Sequence, residues 1–384
     1  MEQTAPNGHC RGGYRSSSIN STVYMNSIGE TMKTRGTSLN PQNRFQPVAT
    51  DRDHDDGWYR DPEDEICPDS MATEVMNETV RSIISRNNSP DIPFEQSVNP
   101  YRGCEHACIY CFARPSHAYW DMSPGLDFET RLIAKHNAAA RLRETLDKPG
   151  YRVSPIALGM NTDAYQPVER EREITRDLLK VMCEYRHPVS LITKGALILR
   201  DLDLLSDLAR DQLCSVTISL TTLSNDLKRR MEPRTAAPAT RLKVIERLRE
   251  AGIPVGLIIG PVIPFINDHE IEAILEAAAN AGAEQAGWIM LRLPYELDEL
   301  FQDWLQRHFP DRAGRVMNRI HDLRGGKSYD STFGSRMTGQ GPYSDLIRQR
   351  FRNKVRKLGL NSHEQDSLRT DLFRHPAGDQ MALW

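Results

Sequence analysis

Six short apolar runs alternate with longer amphipathic segments between residues 94 and 294, and this alternation constrains the fold more than any other feature. The runs cover residues 95–100, 154–160, 189–193, 215–220, 253–260 and 285–291. Between them, apolar side chains recur at the spacing of one helix face. Strand, helix and strand in regular succession predict right-handed βαβ units and a parallel sheet.

Six strand–helix units are too few for a closed barrel of eight, so two architectures fit: a partial barrel or an open doubly wound sheet. We predict an α/β fold with a partial (β/α)6 TIM-type barrel over residues 89–294. In either architecture, ligands bind at the carboxyl ends of the parallel strands, where the strand-to-helix loops meet. Functional residues are therefore expected at the ends of the apolar runs.

The segments on either side of the barrel differ from it in composition. Residues 1–88 are rich in Ser, Thr, Asn, Asp, Arg and Pro and lack an apolar period, which predicts a disordered N-terminal arm, in which 71–86 could form one short helix. Helical spacing over 295–360 predicts a C-terminal helical extension, and the polar residues 361–384 predict a flexible tail. Within the barrel, one long helix is predicted over 128–147.

The bulk charge of the chain excludes little. Its 49 basic and 52 acidic side chains leave a net charge of −3, which neither indicates nor rules out a nucleic-acid partner. No apolar run approaches the roughly 20 residues that a membrane-spanning helix needs, and the N-terminal residues lack the apolar core of a secretory signal. We therefore expect a cytoplasmic protein without a membrane partner, whose cysteines stay reduced.

Three of the seven cysteines lie close together, directly after the first apolar run. Cys104, Cys108 and Cys111 have the spacing C-x3-C-x2-C, which in a reducing compartment indicates metal binding. A structural zinc site usually has four protein ligands, whereas three thiolates can bind three irons of a [4Fe–4S] cube and leave its fourth iron open to a small molecule. The alternative is a zinc ion completed by His106 or His117, in a zinc-dependent nucleic-acid-binding protein without catalytic activity.

This motif, at the start of a repeated strand–helix chain, resembles that of the radical S-adenosylmethionine (SAM) superfamily. More narrowly, residues 89–115, SPDIPFEQSVNPYRGCEHACIYCFARP, are similar to the spore photoproduct lyase branch, often labelled DNA repair photolyase-like. Later stretches such as ALGMNTDAYQPVER and LITKGALILRDLDLL fit the same branch, and the likeness extends from about Ser89 to about Leu360. The lyase uses a cysteine at the end of its second strand, whereas residues 155–163 here contain none.

The resemblance implies an enzyme with two cofactors, one [4Fe–4S] cluster and SAM. Cys104, Cys108 and Cys111 would be the ligands of the cluster. One electron from the reduced cluster would cleave SAM to a 5′-deoxyadenosyl radical that abstracts hydrogen from a substrate, and a flavodoxin or ferredoxin is the implied electron donor. The sequence leaves the substrate open among a nucleic acid, a peptide and a metabolite, and it assigns no catalytic residue beyond the cluster, no reaction class and no oligomeric state.

The resemblance also implies SAM contacts. Tyr110, just before the third cysteine, is expected near the adenine. Thr162 and Asp163, after the second run, are expected at the SAM amino group, with helix capping as the alternative. Lys194, after the third run, is expected to bind the SAM carboxylate, with an ordinary ion pair to Asp201 as the alternative.

Three more candidates lie at the ends of the fourth and fifth runs. Ser219 is a SAM contact by resemblance to the lyase. Arg234 lies in the next loop with Glu232 and Arg241, where these charges could bind SAM or an anionic substrate, or pair with one another. Gly260 would permit close approach of the adenine.

Two groups of basic residues favour an anionic substrate. Arg292, at the end of the sixth run, suits the capture of a phosphate or a carboxylate. The last helical segment carries six cations, which modestly supports nucleic-acid binding, and the alternative is a solvated helix face. These cations are Arg348, Arg350, Arg352, Lys354, Arg356 and Lys357.

Overall fold

The computed structural model of the protein describes residues 35–45, 72–362 and 367–376. Its strands are β1 (Glu74–Asn77), β2 (Ile84–Arg86), β3 (Gln96–Val98), β4 (Tyr101–Arg102), β5 (Arg131–Ala134), β6 (Ile156–Leu158), β7 (Val189–Thr193), β8 (Cys214–Ser219), β9 (Val255–Val262) and β10 (Gln285–Met290). Its helices are α1 (Leu126–Thr130), α2 (Ala138–Leu146), α3 (Glu169–Arg172), α4 (Ile174–Tyr185), α5 (Leu202–Arg210), α6 (Asn225–Met231), α7 (Pro238–Glu250), α8 (Ile271–Asn280), α9 (Leu297–His308), α10 (Pro310–Leu323) and α11 (Pro342–Leu358). Parts of the predicted arm and tail, residues 1–34, 46–71, 363–366 and 377–384, lie outside the described residues.

Six strands form a parallel sheet in chain order, as the sequence predicts. The order across the sheet is β10-β9-β8-β7-β6-β3-β2, in which β2 joins the edge antiparallel to β3. Each parallel connection contains at least one helix, so the carboxyl ends of all six strands reach the same edge of the sheet. The predicted α/β class with a parallel sheet is therefore confirmed.

Burial alternates along the central strands and separates the two faces of the sheet. In β7, Val189, Leu191 and Thr193 are buried, while Ser190 and Ile192 are half-buried, and β8 and β9 begin with the same pattern. The buried apolar side chains pack against the apolar faces of the helices in one core. Because successive side chains of a strand point to opposite faces, the half-buried set lines the face away from that helical layer.

Part of the predicted disordered arm is structured. A second sheet has the order β1-β5-β4, and β2 extends the main sheet. Both β1 and β2 belong to residues 1–88, so the prediction of disorder is wrong there, and the helix considered for 71–86 is wrong as well. The pairing of β1 with β5 also interrupts the helix predicted over 128–147, because Arg131–Ala134 extends as a strand between α1 and α2.

Residues 35–45 are held in place by hydrogen bonds to later parts of the chain, so the prediction of disorder is wrong for them too. A guanidinium nitrogen of Arg35 donates to the backbone oxygen of Glu129 at 2.8 Å, and the amide of Gly36 donates to the Glu129 carboxylate at 2.9 Å. A Cβ atom at Gly36 would lie 1.9 Å from the backbone oxygen of Ala107, so the segment approaches too closely for any side chain there. Contacts of this kind leave no apolar period in the sequence.

The segment predicted to be a helical extension, residues 295–360, contains α9, α10 and α11. Helix α11 lies along α8, where Arg350 pairs with Glu272 at 2.6 Å and Lys354 pairs with Glu276 at 2.6 Å. These pairs neutralise part of the basic helix within the fold, which weakens its support for nucleic-acid binding. Of the helices in the described ranges, none is both long and apolar enough to cross a membrane.

The predicted flexible tail over 361–384 is wrong for its described part, 367–376. The ring of Phe373 packs on those of Tyr151 and His187, with centroid distances of 5.7 and 5.8 Å. One aromatic side chain in a polar stretch has no periodicity, so the sequence does not predict this docking.

His187, fully buried under this tail, should make the stability of the protein depend on pH. Burial lowers the pKa of His187 from 6.5 to about 4. The unfolded chain therefore binds a proton at higher pH than the folded chain, and stability is lost as the pH falls from 6.5 towards 4. We expect this group to remove about 2 kcal/mol of stability between about pH 7 and about pH 5.

Urea unfolding of the full chain at both pH values checks this expectation. His187→Asn keeps a polar side chain in the site but cannot take up the proton, so the variant should lose this share of the pH dependence whatever its absolute stability. A variant with the same pH dependence as the parent would contradict the assignment.

Candidate active site

The three cysteines lie in a loop at the carboxyl end of the first parallel strand. Strand β3 leads through the short β4 into this loop, residues 103–113, which we call the cysteine loop. The amide of Cys104 donates to the backbone oxygen of Phe128 at 2.9 Å. A Cβ atom at Gly103, whose φ is +76°, would lie 2.7 Å from the side chain of Leu132, so the entry to the loop requires glycine.

A buried ion pair underlies the cysteine loop. The side chains of Arg114 and Glu129 are completely buried and pair with each other. Arg114 also donates from Nε to the backbone oxygen of Cys108 at 2.9 Å, and from Nη1 to those of Pro124 and Gly125 at 3.2 and 3.0 Å. One guanidinium thus fixes the loop to the segment that follows it, and a fully satisfied buried network of this kind is rigid.

The three thiols fit an iron–sulfur cluster. Cys104 and Cys108 are buried, Cys111 is half-buried, and all three are free thiols. Burial raises the pKa of Cys108 to about 12, and burial, then Asp163 and the other two sulfurs, raises the pKa of Cys104. Thiols whose pKa is raised become thiolates only beside a strong positive charge, which the irons of a cluster would supply.

A single zinc ion fits these residues poorly. Thiolate ligands of one tetrahedral zinc lie roughly 4 Å apart, and no three His, Cys, Asp or Glu side chains of the described residues come together as ligands of one ion. The two histidines considered as fourth ligand face other partners. His106 Nδ1 lies 3.1 Å from Oδ2 of Asp163, and His117 Nε2 lies 3.0 Å from the backbone oxygen of Arg131. The zinc alternative therefore finds no support in the geometry.

Asp163 ties together the ends of the second and third parallel strands. Its Oδ1 accepts from the Thr193 hydroxyl at 2.6 Å, and its Oδ2 accepts from the Lys194 amide at 2.9 Å. Burial favours the neutral acid, but the charge of His106 and these hydrogen bonds outweigh it and hold the pKa of Asp163 well below its usual range. The carboxylate is thus charged and partnered, and its predicted contact with the SAM amino group stays a prediction.

Thr162 holds the cysteine loop from the neighbouring strand end. Its hydroxyl donates to the backbone oxygen of Gly103 at 2.7 Å, and the Gln166 amide donates to Thr162 at 2.9 Å. The Gln166 oxygen accepts from the amide of Glu105, 61 residues away in the chain, at 2.8 Å. Gln166 is a loop anchor that the sequence analysis missed, because no local pattern marks a contact across that distance. Helix α3 begins without a side-chain cap, so the capping alternative for Thr162 is not observed.

Lys194 presents a cation beside the cysteine loop. Its Nζ lies 5.8 Å from the centre of the Tyr110 ring. Burial lowers the pKa of Lys194, but the negative charges of Cys108 and Glu232 outweigh burial and raise it. Among the described residues Lys194 forms no ion pair, and Asp201, its alternative partner, pairs with two arginines instead. A charged and unpaired ammonium in this position suits an anionic ligand.

A buried polar network surrounds the Tyr110 hydroxyl. This hydroxyl donates to Glu232, and the Thr221 hydroxyl donates to the same carboxylate at 2.7 Å. Arg241 pairs with Glu232 and donates to the backbone oxygen of Ser219 at 2.9 Å. Burial opposes ionisation of Glu232, but Arg241 and the other cations outweigh it and lower its pKa to about 2. The alternative of mutual pairing is therefore observed for Glu232 and Arg241.

Three predicted SAM contacts continue one face of the sheet. Lys194 lies two residues beyond Ile192, a member of the half-buried set, and Ser219 pairs in register with Ile258. Gly260 follows two residues later, so alternation directs all three positions to the face opposite the helical core. A Cβ atom at Gly260 would meet only the Ile258 side chain, at 3.7 Å, so there is space in front of this glycine.

Arg234 contacts the cysteine loop itself. Its Nη2 lies 2.9 Å from Oε1 of Glu105, which also accepts from the Thr73 hydroxyl at 2.7 Å. The pair adds one more anchor for the loop. The predicted role of Arg234 as a SAM contact stays a prediction.

Comparison with known families agrees with this geometry. Residues 98–278 match the family model described as the radical SAM superfamily, a stretch that begins at the end of β3, contains the cysteine loop and reaches into α8. The chain belongs to the radical SAM superfamily. It is therefore a radical SAM enzyme, and its cofactors are one [4Fe–4S] cluster and SAM.

This radical SAM enzyme has relatives in bacteria and archaea. The uncharacterized protein Rv2578c of Mycobacterium tuberculosis is 38% identical over 230 residues, which are 59% of this chain and 68% of that protein. The uncharacterized protein MJ0683 of Methanocaldococcus jannaschii is 28% identical over 222 residues, which are 58% of this chain and 79% of that protein.

The fold of the enzyme is similar to that of spore photoproduct lyase. A structure of that lyase complexed with dinucleoside spore photoproduct matches with a TM-score of 0.54 over 74% of this chain and 80% of the lyase, at 12% sequence identity. At this identity the likeness concerns the fold alone. The resemblance found in the sequence is thus confirmed for the superfamily and for the fold.

Proposed function

We propose that the enzyme binds its cluster through Cys104, Cys108 and Cys111 at the mouth of a partial (β/α)6 barrel, and that hydrogen abstraction from the substrate takes place there. The cysteine loop carries this proposal, since it gathers three free thiols at the carboxyl ends of the strands. The other described cysteines lie elsewhere: Cys183 is in α4, and Cys214 begins β8 at the opposite edge of the sheet. One iron of the cluster would therefore have no ligand among the described cysteines and would be open to SAM.

The residues of the half-buried sheet face would hold SAM. When bound, cluster and SAM supply one-electron cleavage of the cofactor and a hydrogen-abstracting radical. Lys194 would bind the SAM carboxylate, and its charged ammonium, which forms no ion pair within the described chain, supports this role. Ser219 offers a hydroxyl and Gly260 an open approach for the flat adenine. Tyr110 would contribute its ring, since Glu232 already occupies its hydroxyl.

Thr162, Asp163 and Arg234 would act on SAM while keeping their protein partners. They contact the cysteine loop or the strand ends through a backbone oxygen, Thr193 and Glu105 respectively. Hydroxyl and carboxylate oxygens have more than one lone pair, so Thr162 and Asp163 can still accept from an ammonium group. Direct SAM contact and support of the loop are therefore compatible for these residues.

The partners of the reaction follow from the same proposal. A flavodoxin or ferredoxin in the cytoplasm would reduce the cluster. A nucleic-acid lesion or a modified base is the first substrate class to test, because the lyase with the similar fold binds a dinucleoside spore photoproduct. Peptides and small metabolites are the other two classes.

Anaerobic incubation with dithionite and SAM tests the proposal. Protein purified without oxygen should be brown and contain about four irons per chain. It should form 5′-deoxyadenosine, and faster when its own substrate is present among the DNA, RNA and peptide samples offered. A colourless protein with one zinc ion, or a reduced cluster that leaves SAM intact, would refute it.

Removal of the Lys194 ammonium should weaken SAM binding selectively. A charge-assisted hydrogen bond contributes about 1.5–3 kcal/mol, so Lys194→Ala should raise the SAM dissociation constant by about 10- to 100-fold. The iron content should not change, because Lys194 is not a cluster ligand. Equilibrium binding of SAM to the cluster-containing protein measures the effect.

Lys180→Ala is the matched control for this variant. Lys180 is a half-exposed lysine on α4 that pairs with Asp177 at 2.8 Å, away from the strand ends. Its replacement should leave SAM affinity unchanged. If Lys194→Ala bound SAM as tightly as Lys180→Ala, Lys194 would have no part in the SAM site.

A further inference from the structure

Arg292 is an unpaired guanidinium at the mouth of the sheet. It is the second residue after Met290, the last residue of β10. Within the described part of the chain it forms no ion pair, and its Nε is buried without a hydrogen-bond partner. Its Nη1 lies 3.3 Å from the sulfur of Met337, which is a weak acceptor. A guanidinium has five N–H donors, and leaving buried donors without acceptors costs free energy that a bound anion would recover.

Two aromatic rings face this guanidinium. The Cζ atom of Arg292 lies 5.1 Å from the centre of the Phe112 ring and 5.9 Å from that of Tyr329. Phe112 directly follows the cluster ligand Cys111, and 45% of its surface is exposed. A group bound by Arg292 therefore lies beside the cysteine loop.

A second guanidinium stands close to the first. Arg324 is buried and donates to the backbone oxygens of Leu291, Ser335 and Arg336, at 2.9, 3.1 and 2.8 Å. Burial and the charge of Arg292 lower the pKa of Arg324 to about 10. Neither Arg292 nor Arg324 has a carboxylate within ion-pair distance among the described residues. Asp330 acts on Arg324 only through its more distant charge, so an anion can still bind in direct contact with Arg292.

The loop of residues 325–341 fixes this arrangement. The amide of Met290 donates to the backbone oxygen of Met337 at 2.8 Å, and Arg336 pairs with Asp91 at 2.8 Å. The loop thereby connects the end of β10 to the segment before β3. The weak acceptor and the ring of Tyr329 are thus held against Arg292, so the site is preorganised.

We propose that Arg292, between the rings of Phe112 and Tyr329, binds a phosphate group of the substrate. The proposal rests on the proposed function, since it assigns a substrate group to the same site. Two guanidinium groups without a carboxylate in ion-pair contact attract an anion, and the planar fork of Arg292 suits two oxygens of one phosphate. The exposed ring of Phe112 suits the flat base beside that phosphate. The phosphate can belong to a nucleic-acid strand or to a free nucleotide.

Binding of a fluorescent single-stranded oligonucleotide to the cluster-containing protein tests the proposal without SAM. A strand with the normal phosphodiester backbone is compared with one of the same sequence whose methylphosphonate backbone is uncharged. Arg292→Gln should weaken binding of the charged strand by about tenfold and leave the uncharged strand unaffected. Loss of one phosphate contact should also lower the slope of log K against log salt concentration by about 0.7.

Two further variants show whether the effect is specific. Arg210→Gln removes an exposed arginine at the end of α5, on the far side from the strand ends, and should change neither quantity. Arg292→Lys keeps the charge but not the planar fork, so it should keep the salt slope and lose part of the affinity. The iron content of each variant verifies that the cysteine loop is intact.

The results distinguish a nucleic-acid strand from a free nucleotide as the source of the phosphate. They also distinguish failure of the phosphate site from failure of the proposed function. Displacement of the strand by unlabelled mononucleotides at equal phosphate concentration indicates a free nucleotide, and resistance to displacement indicates a strand. Three results would each overturn the phosphate site. Arg292→Gln and Arg210→Gln could weaken binding equally, or neither phosphate probe could bind. In the third result, Arg292→Gln weakens only the binding of a labelled polyglutamate, which carries carboxylates and no phosphate. Because binding needs neither SAM nor an electron, failed SAM cleavage would refute only the proposed function.

Discussion

Alanine in place of Cys104, Cys108 or Cys111, one at a time, should abolish both cluster binding and SAM cleavage. The cube would be held by two thiolates instead of three, and a second iron would lose its protein ligand. We expect the iron content to fall from about four per chain to background and 5′-deoxyadenosine to fall below detection. Iron analysis and electron paramagnetic resonance of the reduced protein measure the loss of the cluster, and product analysis measures the loss of SAM cleavage.

Cys214→Ala is the control for these variants. Cys214 is fully buried at the start of β8, so its replacement should cost some stability but keep the iron and the SAM cleavage. The loop variants should still fold, because Arg114 and Thr162 hold the loop through backbone oxygens rather than through the thiols. Retention of both the cluster and SAM cleavage by any one loop variant would refute the assignment of the cluster ligands.

The main sheet could be predicted because its strands are apolar runs that alternate regularly with helical segments along the chain. Each of the six apolar runs overlaps one observed parallel strand, and the order of the strands follows the order of the chain. Right-handed connections through helices leave few other arrangements once the runs are recognised. The small sheet has no such pattern, since β1, β4 and β5 do not alternate with helices in a regular repeat and β5 lies within a stretch of helical spacing.

The segments predicted to be disordered show why the rest could not be read from the sequence. Hydrogen bonds from Arg35 and Gly36 to Glu129 help to order residues 35–45. Residues 367–376 are held by the ring of Phe373 and by the amides of Arg369 and Arg374, which donate to backbone oxygens at 3.0 Å. These contacts join positions far apart in the chain, and none of them produces a local period. The composition of a segment indicates how much apolar surface it can bury. It does not indicate which polar groups elsewhere in the folded chain will bind it.

The residues of the candidate site also fall into those that the sequence could predict and those that it could not. The position of the cysteine loop at the strand ends was predictable because it directly follows the first apolar run, and the spacing of its thiols favours metal binding. Lys194, Ser219 and Gly260 could be placed at the mouth because alternation along a strand fixes which face a residue occupies. The anchors of the loop, Gln166 and Arg114, were not identified as such, because their roles depend on backbone oxygens that only the folded chain brings within reach.

Loss of the Glu232 charge should destabilise the fold more than any exposed substitution. Glu232 and Arg241 are buried, so Glu232→Gln would leave the guanidinium without its counter-charge and the Tyr110 hydroxyl with a weaker acceptor. Breaking one partner of a buried ion pair typically costs about 3–5 kcal/mol. Urea unfolding of the cluster-containing protein measures this loss. Glu250→Gln is the matched control, since Glu250 pairs with Arg247 on the surface at 3.6 Å. This replacement should change the free energy of unfolding by less than about 1 kcal/mol.

The double variant Glu232→Gln, Arg241→Met shows whether the stability lost in Glu232→Gln results from the unpaired charge of Arg241 or from altered packing. Removing both charges leaves no unpaired ion in the core, so the double variant should regain much of the stability that Glu232→Gln loses. It should not regain full iron binding, because Tyr110 adjoins Cys111, the proposed cluster ligand, and would still lack its carboxylate acceptor. If Glu232→Gln were as stable as Glu250→Gln, or if the double variant were the less stable of the two Glu232 variants, the charge of the buried Glu232–Arg241 pair would not stabilise the fold.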